Sequence, residues 1–204
     1  MFGNRKPRSP LTTYQRVDIE LLMRRSIDVL GLEVVTEAEV VTEVSDLPLD
    51  LSNPAALVES ADMEVRRRMN MMDVDTEITL VDGDQLGYPS TYKAAAAEGC
   101  STVISVADDT AGDPLRTVVE LAYQYSYHYW RTRPSPRPLD IDPRTTNLLP
   151  VCLGLGVLAS DASLYDQQWS QAGWSGWSIS RSGYYNAAEL GYALALFARA
   201  RGES

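Results

Sequence analysis

The stretch Pro114–Arg131, PLRTVVELAYQYSYHYWR, constrains the fold of this chain more than any other. Gly112-Asp113-Pro114 supplies an N-cap followed by a first-turn proline, so the stretch predicts a long helix. On helical spacing Val118, Leu121, Ala122, Tyr125 and Tyr129 line one side, and Val119, Tyr123, Tyr127 and Trp130 line the adjacent one. Only Glu120, Gln124 and His128, at i, i+4 and i+8, form a polar strip. A helix apolar over most of its girth belongs at the centre of a domain. A buried Glu120 then needs a partner or takes up a proton. Three roles fit it: a relic of a catalytic base, a member of a working site with Gln124 and His128, or a plain surface glutamate.

The other elements arrange themselves around this helix. Residues 1–10 read as a flexible basic tail, and residues 11–204 as a single domain. Thr12 or Thr13 caps a helix running to about Leu30, with Val17, Leu21, Leu22, Met23, Ile27 and Leu30 near helical spacing and Gly31 as its stop. The Val- and Thr-rich LEVVTEAEVVTEV reads as strand, or as strand and turn. Asn53-Pro54 starts a helix that turns Leu57, Val58, Ala61 and Val65 inward and carries Arg66, Arg67 and Arg68 in its last turn. EITLV (77–81) and TVISV (102–106) alternate as strands, the first ending at the turn signal Asp82-Gly83, with Gly87-Tyr88-Pro89 continuing the loop. The proline-rich RTRPSPRPLDIDP reads as a stiff connector holding Pro143. A helix from Asn147 to Ser160 follows, with Pro150 in its first turn and Gly154 and Gly156 packing closely on a neighbour. Trp169 to Trp177, WSQAGWSGW, reads as a hairpin or irregular loop, and Asn186 to Ala200 as a last helix.

Composition narrows the chemistry. The chain has one His, and its two Cys, Cys100 and Cys152, lie far apart, so no His-rich or Cys-rich zinc site fits within one chain. A carboxylate-only site for a hard cation stays open, although no acid spacing resembles a calcium loop. Buried free thiols fit a cytoplasmic location. The N-terminus lacks the apolar region of a secretory signal, and no apolar run is long enough to span a bilayer. A net charge of −10 argues against nucleic acid and leaves a protein or a small molecule as the partner. No cofactor is called for, and a homo-oligomer stays open.

Val119-Glu120-Leu121-Ala122-Tyr123 occupies the place of a His-Glu-x-x-His segment, in which two His on one helix face bind zinc and the Glu is general base. Further pieces agree: VDIELLMRRSIDVLG (17–31), ISVADDTAGDPLRTVVELAY (104–123), TTNLLPVCLGLGVLASDAS (145–163) and SISRSGYYNAAELGYALALFARARGE (178–203). Together they resemble a bacterial family of small, zincin-like, HExxH-type proteins. The resemblance covers most of the chain and is most specific in its C-terminal pieces. It implies an α+β, zincin-like fold: several helices on a small sheet, with a central, degenerate active-site helix at about 114–131.

The departures from that family matter as much as the matches. Its first two metal ligands correspond to Val119 and Tyr123. Its acidic ligand falls near Pro143, and a nearby Asp falls at Asn147. None of these replaces an imidazole or carboxylate at zinc, a rare Tyr phenolate apart. Without the metal, water is not activated near neutral pH, and Glu120 alone is a poor hydrolase. The resemblance therefore implies a catalytically inactive domain that acts in binding or as a structural subunit. Two alternatives stand beside it. One is a non-metal enzyme using Glu120 with Tyr123, Tyr127 or His128 in the former cleft. The other is a ligand-binding module built on Trp169, Trp174 and Trp177.

Overall fold

The structure, a computed structural model, describes residues 10–94, 101–132, 142–171 (backbone alone from 164) and 183–203. Among the described residues the chain is α+β, with nine helices and one three-stranded mixed sheet.

Helix α1 (Thr13–Leu30) begins where the sequence signals it. Thr12 accepts from the Gln15 N–H, and the Gln15 side chain accepts from the Thr12 N–H, which satisfies two orphan donors at once. The helix buries Ile19, Leu22, Met23 and Ser26. Val17 and Leu21, which share the helical spacing of the apolar residues, are 57% and 65% exposed. Each stands two residues, about 200° of helical turn, from the buried Ile19.

The strand expected over LEVVTEAEVVTEV does not form. Leu32–Glu37 is a short helix, α2, and Val44–Asp46 is a single 3-10 turn. Tertiary contacts override the β-propensity here. Arg201 donates to the carbonyls of Val35 and Ala38 at the end of α2. Beyond it, the Val41 N–H donates to the Gly154 carbonyl, and Arg68 donates to the Glu39 carbonyl. Gly154 has φ +84°, and a Cβ there would lie 2.1 Å from the Glu39 carbonyl oxygen. Only glycine allows this approach.

Helix α3 (Pro54–Arg68) is capped by Asn53 and buries Leu57, Val58, Ala61 and Val65 as expected. Its arginines work locally. Arg66 donates to the carbonyls of Met71, Met72 and Val74, while Arg67 and Arg68 both bind Glu64.

The sheet has the order β1-β3-β2. Strand β1 (Thr76–Val81) runs parallel to β3 (Thr102–Ala107), and β2 (Ser90–Lys93) runs antiparallel to it. Strand β2 falls in what the sequence presents as loop. Asp82-Gly83, read as a turn, opens the short helix α4 (Gly83–Leu86), with Asp82 accepting from the Asp84 N–H.

After α5 (Asp108–Ala111), helix α6 (Pro114–Thr132) follows as predicted. The single helix expected from Asn147 to Ser160 is two. Helix α7 (Pro143–Cys152) starts earlier, with Asp142 as N-cap and Pro143 at its first position, so Pro143 is not in the connector and Pro150 sits in the last turn. Asp-Pro is the same start signal as Asp113-Pro114, hidden here in a run of prolines. Gly154 then breaks the chain direction, and α8 (Gly156–Gln171) begins. Gly156 packs closely: a Cβ there would lie 2.8 Å from Leu194 of α9 (Ala187–Ala200). Helix α8 also contains Trp169, which the sequence places in a loop. Helix α9 starts at Asn186 in a capping box with Glu189.

Helix α6 packs against α3, α7, α8, β2 and β3. Val118, Leu121, Ala122, Tyr125 and Tyr129 are buried on one side, and Val119, Tyr123 and Trp130 on the other. The helix is therefore central, as its girth of apolar residues requires. No described helix is long and apolar enough to cross a membrane.

Candidate functional site: the polar strip between α6 and β2

Strand β2 lies along α6 and answers its polar strip. Ser90, the first residue of β2, is buried and donates from Oγ to Glu120 Oε2 at 2.7 Å. The same oxygen accepts from Gln124 Nε2 at 2.7 Å. One serine thus joins two successive members of the strip. Two residues on, Tyr92 points the same way, as alternation in a strand requires. Its hydroxyl shares a 2.8 Å hydrogen bond with His128 Nδ1. The Tyr127 ring meets Tyr92 edge-on, with centroids 5.0 Å apart.

The electrostatics follow from burial. Glu120 is buried, with only 5% of its surface exposed. Burial raises the Tyr123 phenol well above its ordinary pKa, and the nearby negative charge of Glu120 adds to the shift. Burial likewise raises Tyr92 and lowers His128, the latter against the attraction of Asp73. His128 is only half-buried, so the outer end of the strip meets solvent.

The four positions that the resemblance sets against metal ligands make other contacts. Val119 is part of the apolar core. The Tyr123 phenol lies against Gly183, where a Cβ would come within 2.7 Å of its hydroxyl. Asn147 on α7 accepts, through Oδ1, from the Tyr184 N–H. Tyr123 and Asn147 therefore both meet the short run Gly183–Tyr184. Pro143 starts α7, one turn before Asn147. Among the described residues no three His, Cys, Asp or Glu side chains cluster so as to hold a metal ion.

Of the residues the sequence singles out, Glu120 and Gln124 meet through Ser90, and Tyr127 and His128 meet through Tyr92. The two groups are held by different strand residues. Trp174 and Trp177 lie outside the described residues, as does the side chain of Trp169. Cys152 is a buried free thiol, pushed up to about 12 by burial, which makes it a poor nucleophile.

Sequence reasoning missed Ser90 and Tyr92. The signal available was the β-favouring Ser-Thr-Tyr after Pro89, short and masked by the loop residues before it. A second missed pair lies on the other side of α6: the Tyr125 hydroxyl donates to Asp62 on α3, which also binds Arg66 at 3.4 Å. Burial raises the pKa of both Asp62 and Tyr125.

No protein-family model matches this chain, and no curated protein and no solved structure matches it either.

Proposed function

We propose that this chain is a catalytically inactive, zincin-like domain that acts through binding or as a structural subunit. One observation carries the proposal. Glu120, the residue that would be the general base, is buried and accepts from Ser90, with the raised phenol of Tyr123 beside it. A hydrolytic base must reach a water that something has activated. Here a serine hydroxyl takes that contact, and Val119 and Tyr123 stand where two imidazoles would be required. Packing in place of coordination supports a scaffold retained after loss of its chemistry.

The alternative of a non-metal enzyme draws on the half-buried Tyr92–His128–Tyr127 group, the part of the strip nearest solvent. Against it, His128 and Glu120 are tied to separate strand residues.

Elemental analysis of the purified full chain, before and after a zinc soak and dialysis, tests the leading proposal. Zinc far below one per chain is expected. One tightly held zinc per chain would overturn it.

A further inference from the structure

Helix α1 leaves an ordered row of side chains in solvent. Tyr14, Val17 and Leu21 are exposed, and so are Arg24 and Asp28, whose ion pair spans 3.9 Å. Such an exposed pair adds little stability. Positions 14, 17, 21, 24 and 28 follow steps of three, four, three and four, the spacing of a seam between two paired helices. Large apolar side chains on that seam have no covering element among the described residues.

The acids beside the seam are drawn away from it. Asp18 binds Arg144 of α7 at 3.1 Å on one side. Glu20 accepts from the Tyr192 hydroxyl of α9 on the other. The strip between them is left apolar in its middle and charged at one end.

We infer that α1 is the interface of a symmetric dimer, in which it pairs antiparallel with α1 of a second copy. A two-fold axis at the level of Ile19 sets Val17 against Leu21 of the second copy, and Leu21 against its Val17. The same axis sets Tyr14 against Arg24 of the other copy, twice over. Each contact recurs by symmetry, as a closed two-fold interface requires. The guanidinium is attracted to the tyrosine face, and the chain already uses such a pair where Arg25 lies 5.4 Å over the Trp130 ring. Asp28, near the end of α1, is brought beside the start of the second α1. That start carries the positive end of the helix dipole and has no acid in its first turn. The apolar middle and the two Tyr14–Arg24 contacts therefore match in this register and direction, while Asp18 and Glu20, each held within its own chain by Arg144 and Tyr192, meet their own counterparts at the flanks and weaken the pairing.

One helix pair buries less than the ~1,200–2,000 Å² of a standard stable interface, so the dimer is weak and reversible. This inference does not depend on the proposed loss of catalysis.

Sedimentation equilibrium of the full chain, from about one to several hundred micromolar, reads the association directly. A monomer–dimer equilibrium is expected, weakened by about tenfold or more in Leu21→Arg. That site is exposed, and an unchanged thermal melt confirms that the variant folds. Register is read by oxidation in a Cys100→Ser background, Cys152 being fully buried. A mixture of Val17→Cys and Leu21→Cys chains is expected to cross-link as mixed pairs in preference to like pairs. A monomer across the whole range, a dimer indifferent to Leu21→Arg, or preferential like-with-like cross-linking would each overturn the inference.

Discussion

Ser90 Oγ donates to Glu120 Oε2 across 2.7 Å, joining the first residue of an edge strand to the middle of the central helix. The fit is one of repeat lengths. Two strand residues advance about 6.6 Å, and four helix residues advance about 6 Å. Alternate side chains of β2 therefore keep step with the strip Glu120, Gln124, His128. Ser90 serves the first two and Tyr92 the third. The polar strip is buried at one end without losing its hydrogen bonds.

Removing the serine hydroxyl withdraws one donor from Glu120 and one acceptor from Gln124. Ser90→Ala is expected to destabilise the protein by about 1–3 kcal/mol, the range for leaving a buried polar group short of a partner. Urea unfolding followed by circular dichroism measures this. No loss of stability would mean that the bond contributes nothing to holding the strip.

Gly183 has φ +84°, and a Cβ there would meet the Tyr123 hydroxyl at 2.7 Å and its ring at 3.0 Å. Gly183→Ala therefore adds left-handed backbone strain to a steric clash, about 2–4 kcal/mol together. Tyr123→Phe in the same chain is expected to recover part of that loss, because it removes the hydroxyl but not the strain. Unfolding curves of the two single variants and the double variant check this. Strictly additive losses would place Tyr123 away from Gly183.

His128 is the only histidine of the chain, so its titration can be isolated. Burial lowers its folded pKa below the ordinary 6.5. The unfolded chain then binds the proton more readily than the folded one. The contribution of His128 is full above about pH 6.5 and is lost as pH falls through its lowered folded value. Asp62 has the opposite sign: its pKa is raised, so its protonation favours the folded chain in more acid solution. Stability measured against pH is expected to fall on acidification below about 6.5, and His128→Gln to flatten that part of the curve. An identical slope in the variant would remove His128 as the cause.

Elements were legible where cap chemistry and apolar periodicity agreed. Thr12, Asn53, Asp113 and Asn186 each mark a helix start that the fold keeps. The burial of α6 and of Leu57, Val58, Ala61 and Val65 follows from spacing alone. Long-range contacts decided the rest. Residues 32–46 have β-forming composition, yet Gly154, Arg68 and Arg201, all distant in sequence, claim their carbonyls and amides. Val17 and Leu21 show helical spacing without burial, since periodicity marks a face and not what covers it. At the candidate site the helix half was readable and the strand half was not. A four-residue β2 has too little alternation to announce itself, so Ser90 and Tyr92 emerge only when β3 pairs with it.

The role of Glu120 can be read from what its loss does to stability. A group kept for catalysis is commonly held at the expense of stability, and its removal tends to stabilise a protein. A group kept as a hydrogen-bond partner does the reverse. The most direct measurement is the unfolding free energy of Glu120→Gln, alone and combined with Ser90→Ala. A loss of about 1 kcal/mol or more, strongly non-additive with that of Ser90→Ala, is expected if Glu120 is a structural relic. A Glu120→Gln protein more stable than the parent, with no coupling to Ser90, would contradict that role and point to a working acid–base group.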